Sequence, residues 1–212
     1  MRFYNINGAQ YPSVTTILSA LPQPTALKNF INNNPNAKFI ASERAYIGIL
    51  SHFHFESLNS VYLDKIPVLE EVNKQFDTEE NRIIIDDIKM KIDFFLMENE
   101  LKPIMLEEKL WSHELQIAGR VDFIGYVNGK MSILDLKTSK AFYESDTGYD
   151  NHEIQLSAYK ICFEECKDLN ISIDKLYILR CHEDSWWEIK EKVFNPNGVK
   201  YARKLFKDKY GI

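Results

Sequence analysis

Cysteine is scarce in this chain. Its three cysteines, Cys162, Cys166 and Cys181, form no Cys-x-x-Cys pair. Three thiols cannot complete a disulfide framework or a four-cysteine zinc or iron–sulfur site within one chain, so they read as buried or idle. Long apolar runs are missing as well. No stretch approaches the roughly 18 apolar residues that a membrane span needs. The opening, Met1-Arg-Phe-Tyr-Asn-Ile-Asn-Gly8, is polar and turn-like and lacks the apolar segment of a signal peptide. The expectation is a cytoplasmic location with no membrane partner. Excess positive charge is the third absence. A formal net charge of −5 excludes a surface coated in phosphate-binding cations. It leaves nucleic acid open as a partner, because a metal-assisted phosphate chemistry gathers carboxylates at its centre and can keep basic contacts local. The basic stretch from Lys200 to Lys209 reads as a solvated helix face.

What is present organises readily. The 212 residues, 45% hydrophobic and 13% aromatic, suffice for one cored domain with a subdomain. Residues 4–11 read as a hairpin about Asn7-Gly8, and Ser13 can cap a short helix. A helix from Thr25 ends at Asn32-Asn33-Asn34-Pro35. Residues 37–58 have helical apolar spacing, with Phe39, Ile40, Ala45, Ile47, Leu50 and Phe53 on the buried side. Pro67 is expected to open another helix, and a further one covers 78–101. After Pro103 the pattern changes to strands at 104–111, 117–127 and 131–137, a meander with Asn128-Gly129 at its tight turn. Residues 138–150 read as a polar loop. Asn151 can cap a helix reaching Cys166. Strands at 174–182 and 186–193 and a helix at 197–210 complete the order. The prediction is a mixed α/β (α+β) unit, with a hairpin and helices in 1–102 capping a sheet-bearing core in 103–212.

The chemistry centres on Asp135-Leu136-Lys137. Strand side chains alternate faces, so Asp135 and Lys137 share one face and Leu136 takes the other. Asp122, on the neighbouring hairpin strand, can stand beside Asp135. Both acids have apolar flanks, Val121 and Phe123-Ile124 about the first and Ile133-Leu134 before the second. A charge in such a strand needs a partner. An ion pair with Lys137 is one solution. A hard divalent cation is another, since Mg²⁺ takes carboxylate oxygens together with water and phosphate. Such an ion activates water and neutralises charge on a phosphate ester. Lys137 would orient the attacking water or offset the developing negative charge.

Three segments, in order, then carry a resemblance. Gly119-Arg-Val-Asp122-Phe-Ile-Gly125, Ile133-Leu-Asp135-Leu-Lys137-Thr138-Ser139-Lys140 and Gln155-Leu-Ser-Ala158-Tyr159 resemble the PD-(D/E)XK nuclease superfamily. The similarity is to its RecB-like branch, which includes the Cas4 exonucleases, nuclease domains of recombination helicases, mitochondrial genome maintenance exonuclease and many phage exonucleases. Tyr11-Pro12-Ser13-Val-Thr-Thr-Ile-Leu18 is similar to the start of the phage and mitochondrial members. The resemblance implies a restriction-endonuclease-like core, one or two Mg²⁺ or Mn²⁺ ions, and hydrolysis of DNA to 5′-phosphate ends. It implies Asp122, Asp135 and the carbonyl of Leu136 as metal ligands, and Lys137 as the catalytic lysine. The family's upstream Arg-Gly-Thr-x-x-His pattern corresponds to Ile47-Gly48-Ile49-Leu50-Ser51-His52. Gly48 and His52 match, Ile47 and Ile49 depart, and His52 is the expected further ligand. His54, two residues on, should face away.

An acidic residue on the preceding strand belongs to the same pattern. Glu107 and Glu108 both qualify, and shared alternation with Leu106 and Leu110 favours Glu108. Gln155 and Tyr159 share a helix face and are expected at the DNA backbone or at Lys137. With three cysteines the chain cannot carry the iron–sulfur cluster of Cas4 relatives. It looks like the cluster-free members, compatible with a phage-encoded protein acting in a host cytoplasm. The expected function is a DNA exonuclease working from single-stranded ends. A structure-specific or restriction-type endonuclease, a non-catalytic DNA-binding subunit and a small-molecule phosphodiesterase stay as alternatives. Repair, recombination, phage genome processing and defence are all compatible pathways.

Overall fold

Two Asn-Gly turns set the first-order geometry. Asn7 and Gly8, and again Asn128 and Gly129, both take positive φ, the twist that closes a two-residue hairpin without splaying its strands. The computed structural model describes residues 1–139, 150–166 and 171–212. Lys140 and most of the polar loop expected at 138–150 lie outside the described residues. Strands β1 (Phe3–Ile6) and β2 (Ala9–Pro12) form the first hairpin. Strands β3 (Leu101–Ser112), β4 (Ile117–Val127) and β5 (Lys130–Ser139) form the antiparallel meander. Helix α5 (Asn151–Cys166) crosses over to β6 (Lys175–His182), which runs parallel to β5. Strand β7 (Trp187–Lys192) adds antiparallel to β6, giving a mixed five-stranded sheet in the order β3-β4-β5-β6-β7.

Helices cover both faces. On one face lie α1 (Val14–Leu18), α5 and α6 (Pro196–Tyr210), whose Ile17, Phe163 and Phe206 bury against Val121, Ile133 and Ile178. On the other lie α3 (Ala37–Ser60) and α4 (Glu79–Glu98), whose Ile47, Phe55, Ile88 and Phe95 bury against Phe123, Leu134 and Leu136. Both cores mix residues from before and after Pro103. The short α2 (Thr25–Asn33) buries none of its residues. This layering is a restriction-endonuclease-like α+β arrangement. No helix among the described residues is long and apolar enough to cross a membrane.

The ends of the helices follow local chemistry. Ser13 Oγ accepts from the Thr16 N–H at 3.0 Å, and Thr78 Oγ1 from the Asn81 N–H at 3.2 Å, as caps for α1 and α4. The α5 cap is Asp150 rather than Asn151. Its carboxylate accepts from the His152 and Glu153 N–H groups at 2.9 and 3.1 Å, placing Asn151 in the first turn. Two other expectations change. Phe39 and Ala45 are exposed, and Phe39 touches Phe76 edge-on, because α3 meets the sheet through Ile47, Ser51 and Phe55, four residues apart. No helix follows Pro67; the chain from 61 to 73 is irregular, with a single 3₁₀ turn at Lys74–Phe76. Side-chain tethers hold this segment instead. Lys65 Nζ meets the Leu106 carbonyl and Glu56, and Glu70 pairs with Arg120.

Candidate metal centre

The centre forms where two strands part. The β4–β5 ladder ends at Phe123↔Leu134, so the next residues on each strand are Asp122 and Asp135. Beyond that pair the Asp122 carboxylate replaces the missing ladder partner, and its Oδ2 accepts from the Leu136 N–H at 2.9 Å. The gap admits side chains from both layers. From α3, His52 Nδ1 stands 3.2 Å from Asp122 Oδ2 and 3.9 Å from Glu107 Oε1. From α5, Gln155 Nε2 donates to Asp135 Oδ1 at 3.0 Å and to the Tyr159 hydroxyl at 3.1 Å. Lys137 Nζ forms an ion pair with Asp135 Oδ2. That oxygen is buried, and beyond this ion pair it has no hydrogen bond of ordinary geometry among the described residues.

Ligand atoms of His52, Glu107 and Asp122 all lie within 4.8 Å of one another. One imidazole nitrogen and two carboxylates suit a divalent cation that accepts oxygen and nitrogen donors. Two further donors adjoin them. Asp135 follows Asp122 across the parted strands. The Leu136 peptide shares the gap too, since in an extended strand a residue's carbonyl leaves on the side of its own N–H. The donor set therefore fits the ion that the sequence implied.

Glu107, not Glu108, reaches this group. Glu108 would share a face with Leu106 and Leu110 only in one continuous strand. Glu107 instead has φ +48°, and the strand changes face there. Leu106 packs with Phe123 in the α3–α4 core, whereas Leu110 packs with Val121 in the α1–α5 core. Register pairs Leu106 with Phe123 and Glu108 with Val121, which leaves Glu107 abreast of Asp122. The positive φ could not be read from the residue types.

Gln155 and Tyr159 also differ from expectation. Both are buried, and the Gln155 amide is committed to Asp135 and Tyr159 rather than to Lys137. They position the carboxylate. His54 turns to Asp93 on α4 at 2.8 Å, away from the centre. Arg120 was not singled out from the sequence. Its Nε lies 2.7 Å from Glu107 Oε2 and its Nη1 2.6 Å from Glu70 Oε1. Arg180 and His152 were likewise missed. Arg180 stands in register with Lys137 on β6, and its Nη2 is 3.0 Å from His152 Nδ1.

The electrostatics follow from crowding. Burial alone would lower His52, but the charge and hydrogen bond of Asp122, with Glu107, push it up to about 10. Burial would raise Asp122, yet His52, Lys137 and the Leu136 N–H hold it low. Burial pushes Asp135 up to about 6, with Lys137 opposing and Asp122 adding to the rise. Lys137 itself is held up by Asp135 and Asp122 against the effect of its burial. The ammonium therefore stays charged at neutral pH. His152 is driven down to about 4 by burial and by the facing Lys137 and Arg180, so its ring is neutral.

Gly119 has a steric reason to lack a side chain. A Cβ there would meet the Tyr159 ring at 2.5 Å and Val14 at 3.2 Å. Gly119→Ala is expected to destabilise by about 1–3 kcal/mol through overpacking, and to disturb Asp135 through Tyr159 and Gln155. Gly48→Ala is the control, because its Cβ would sit at an ordinary 3.7 Å from Thr138 Oγ1. Urea unfolding of the two variants checks this; equal stability would contradict the packing argument.

A cleft of about 450 Å³ opens onto the group, with His52, Glu107 and Asp122 in its lining and Arg2, Lys65 and Arg120 as its cations. No residue of the basic C-terminal stretch lines it.

No protein-family model matches the chain, and no curated protein matches it either. Two solved structures share part of its backbone path. The crystal structure of SSO0001 aligns over 77% of this chain and 74% of its own, at 16% identity and a TM-score of 0.34. A candidate exonuclease from Eubacterium rectale aligns over 80% of this chain and 65% of its own, at 14% identity and a TM-score of 0.45. This chain thus spans just under two thirds of the second protein.

Proposed function

We propose that this protein is a Mg²⁺- or Mn²⁺-dependent deoxyribonuclease that removes nucleotides from single-stranded ends and leaves 5′-phosphates. The observation that carries the reading is the convergence of His52, Glu107 and Asp122 at the mouth of a cleft, with Asp135 and Lys137 directly behind. His52, Glu107, Asp122, Asp135 and the Leu136 carbonyl would hold the ion. When bound, it supplies charge neutralisation at the phosphate and a more acidic water. The remaining work falls to side chains. Lys137 presents a fixed positive charge and a hydrogen-bond donor to the attacking water or to the charge developing on phosphate. Gln155 fixes one oxygen of Asp135, and Tyr159 fixes Gln155, so the carboxylate cannot rotate away. Burial of Asp135 keeps bulk water from screening its interaction with Lys137.

The reading is supported by the order Gly-x-x-Asp, Asp-x-Lys and Gln-x-x-x-Tyr along the chain together with this geometry. Its test is digestion of end-labelled linear single strands and of closed circular single strands in Mg²⁺. Exonuclease action releases mononucleotides or short oligonucleotides from the linear substrate and spares the circle. Cutting of the circle would favour an endonuclease of the same fold, and DNA binding without any metal-dependent cleavage would favour a non-catalytic subunit.

A further inference from the structure

The Arg120 guanidinium faces two carboxylates with unequal claims on it. Glu107 belongs to the metal group, so the contact at Nε orients a ligand. Glu70 does not. It arrives on the irregular segment between α3 and α4, and its side chain is 48% exposed against 32% for Arg120. Its oxygen occupies Nη1, and both residues line the cleft together with Arg2, Tyr4 and Lys65. Arg2 lies 5.0 Å above the Tyr4 ring, so that end of the cleft carries a second guanidinium. The Glu107 side chain is only 13% exposed and that of Glu70 is half-exposed, which separates a permanent contact from a replaceable one.

We propose that Arg120 binds the phosphate next to the scissile one, and that Glu70 occupies its outer nitrogen until a nucleic acid strand arrives. The inference rests on the nuclease reading of the centre. A phosphodiester offers the same charge and the same acceptor atoms as the Glu70 carboxylate. The guanidinium fork matches it well. A half-exposed ion pair holds weakly in water, so a polyanion held also by the metal centre displaces Glu70 readily. The segment 66–70 then opens away from Arg120 while Lys65 keeps its tether to the Leu106 carbonyl.

The experiment measures binding of a fluorescein-labelled 20-nucleotide single strand to the full chain in Ca²⁺, with the cleavage rate in Mg²⁺ followed in parallel. Glu70→Gln should bind about three- to fivefold tighter, since one weak exposed ion pair no longer competes. Arg120→Ala should bind about tenfold weaker, and the slope of log affinity against log salt should fall by about 0.7. Adding Glu70→Gln to Arg120→Ala should then change nothing, because the competitor acts only through Arg120. Glu71→Gln removes the neighbouring charge and should leave affinity unchanged. Arg120→Lys, which keeps the charge but not the fork, should fall between wild type and Arg120→Ala. Unchanged or weaker binding by Glu70→Gln overturns the inference, as does an equal gain from Glu71→Gln or from Glu70→Gln in the Arg120→Ala background. Those outcomes leave a cleaving wild type intact. A wild type that neither binds nor cleaves DNA overturns the nuclease reading and this inference with it.

Discussion

Asp135→Ala and Lys137→Ala are each expected to lower Mg²⁺-dependent DNA hydrolysis by about 10²–10⁴-fold, the usual cost of losing a positioned acid–base or charge-stabilising group. The two residues act as a unit, so the double variant should lose little more than either single one. Removing Lys137 leaves Asp135 buried without its counter-charge, and its carboxyl protonates more readily. Removing Asp135 leaves the ammonium beside Arg180, only one strand away, with its nearest anion gone. Asp135→Asn separates chemistry from structure, because it can keep the hydrogen-bonded link through Gln155 while losing the charge. Single-turnover rates at saturating Mg²⁺ check the set, with near-wild-type unfolding in urea for Asp135→Asn as the structural control. Full activity in both alanine variants would remove the centre from the reaction.

The second large effect is on metal affinity. His52 holds its proton up to about 10 in the folded protein, and an imidazolium cannot accept a cation. Its pKa is raised above the ordinary value, so the proton and the metal compete throughout the neutral range. Affinity for Mn²⁺ should therefore rise with pH, by about tenfold per unit between pH 6.5 and 8.5, with about one proton released per ion bound. Below about pH 6 Asp135 also takes up a proton, and the fall should steepen. Calorimetry of the chelator-treated protein in buffers of different ionisation enthalpy measures both numbers. His52→Ala should weaken binding and flatten the slope above pH 6.5. A slope unchanged by that substitution would place the ion elsewhere.

Much of this arrangement was legible from residue types, because simple periodicities governed it. Asp135 and Lys137 share a face since strands alternate, and Asp122 lies abreast of Asp135 because Asn128-Gly129 fixes the hairpin register. His52 and Gln155 are another matter: helix spacing alone does not single them out, and only the family resemblance pointed to them. What escaped has identifiable causes. Glu107 takes the place expected for Glu108 because one left-handed residue turns β3 over, and leucines on either side of it no longer share a core. The segment after Pro67 is irregular, and the tethers of Lys65 and Glu70 to Leu106 and Arg120 are tertiary contacts that carry no local sequence signal. Arg120 carried no local signal at all. Its importance appears only when the strand, the metal group and the 61–73 segment are brought together.

The proposed function places DNA hydrolysis at a divalent metal centre built on His52, Glu107 and Asp122. Its most direct measurement compares wild type, Glu107→Gln and Glu108→Gln on end-labelled linear single-stranded DNA, with and without Mg²⁺. Metal-dependent products with 5′-phosphates are expected from wild type and Glu108→Gln, and a loss of about 10²-fold or more from Glu107→Gln. Cleavage that ignores the metal, or that survives in Glu107→Gln and vanishes in Glu108→Gln, would contradict it.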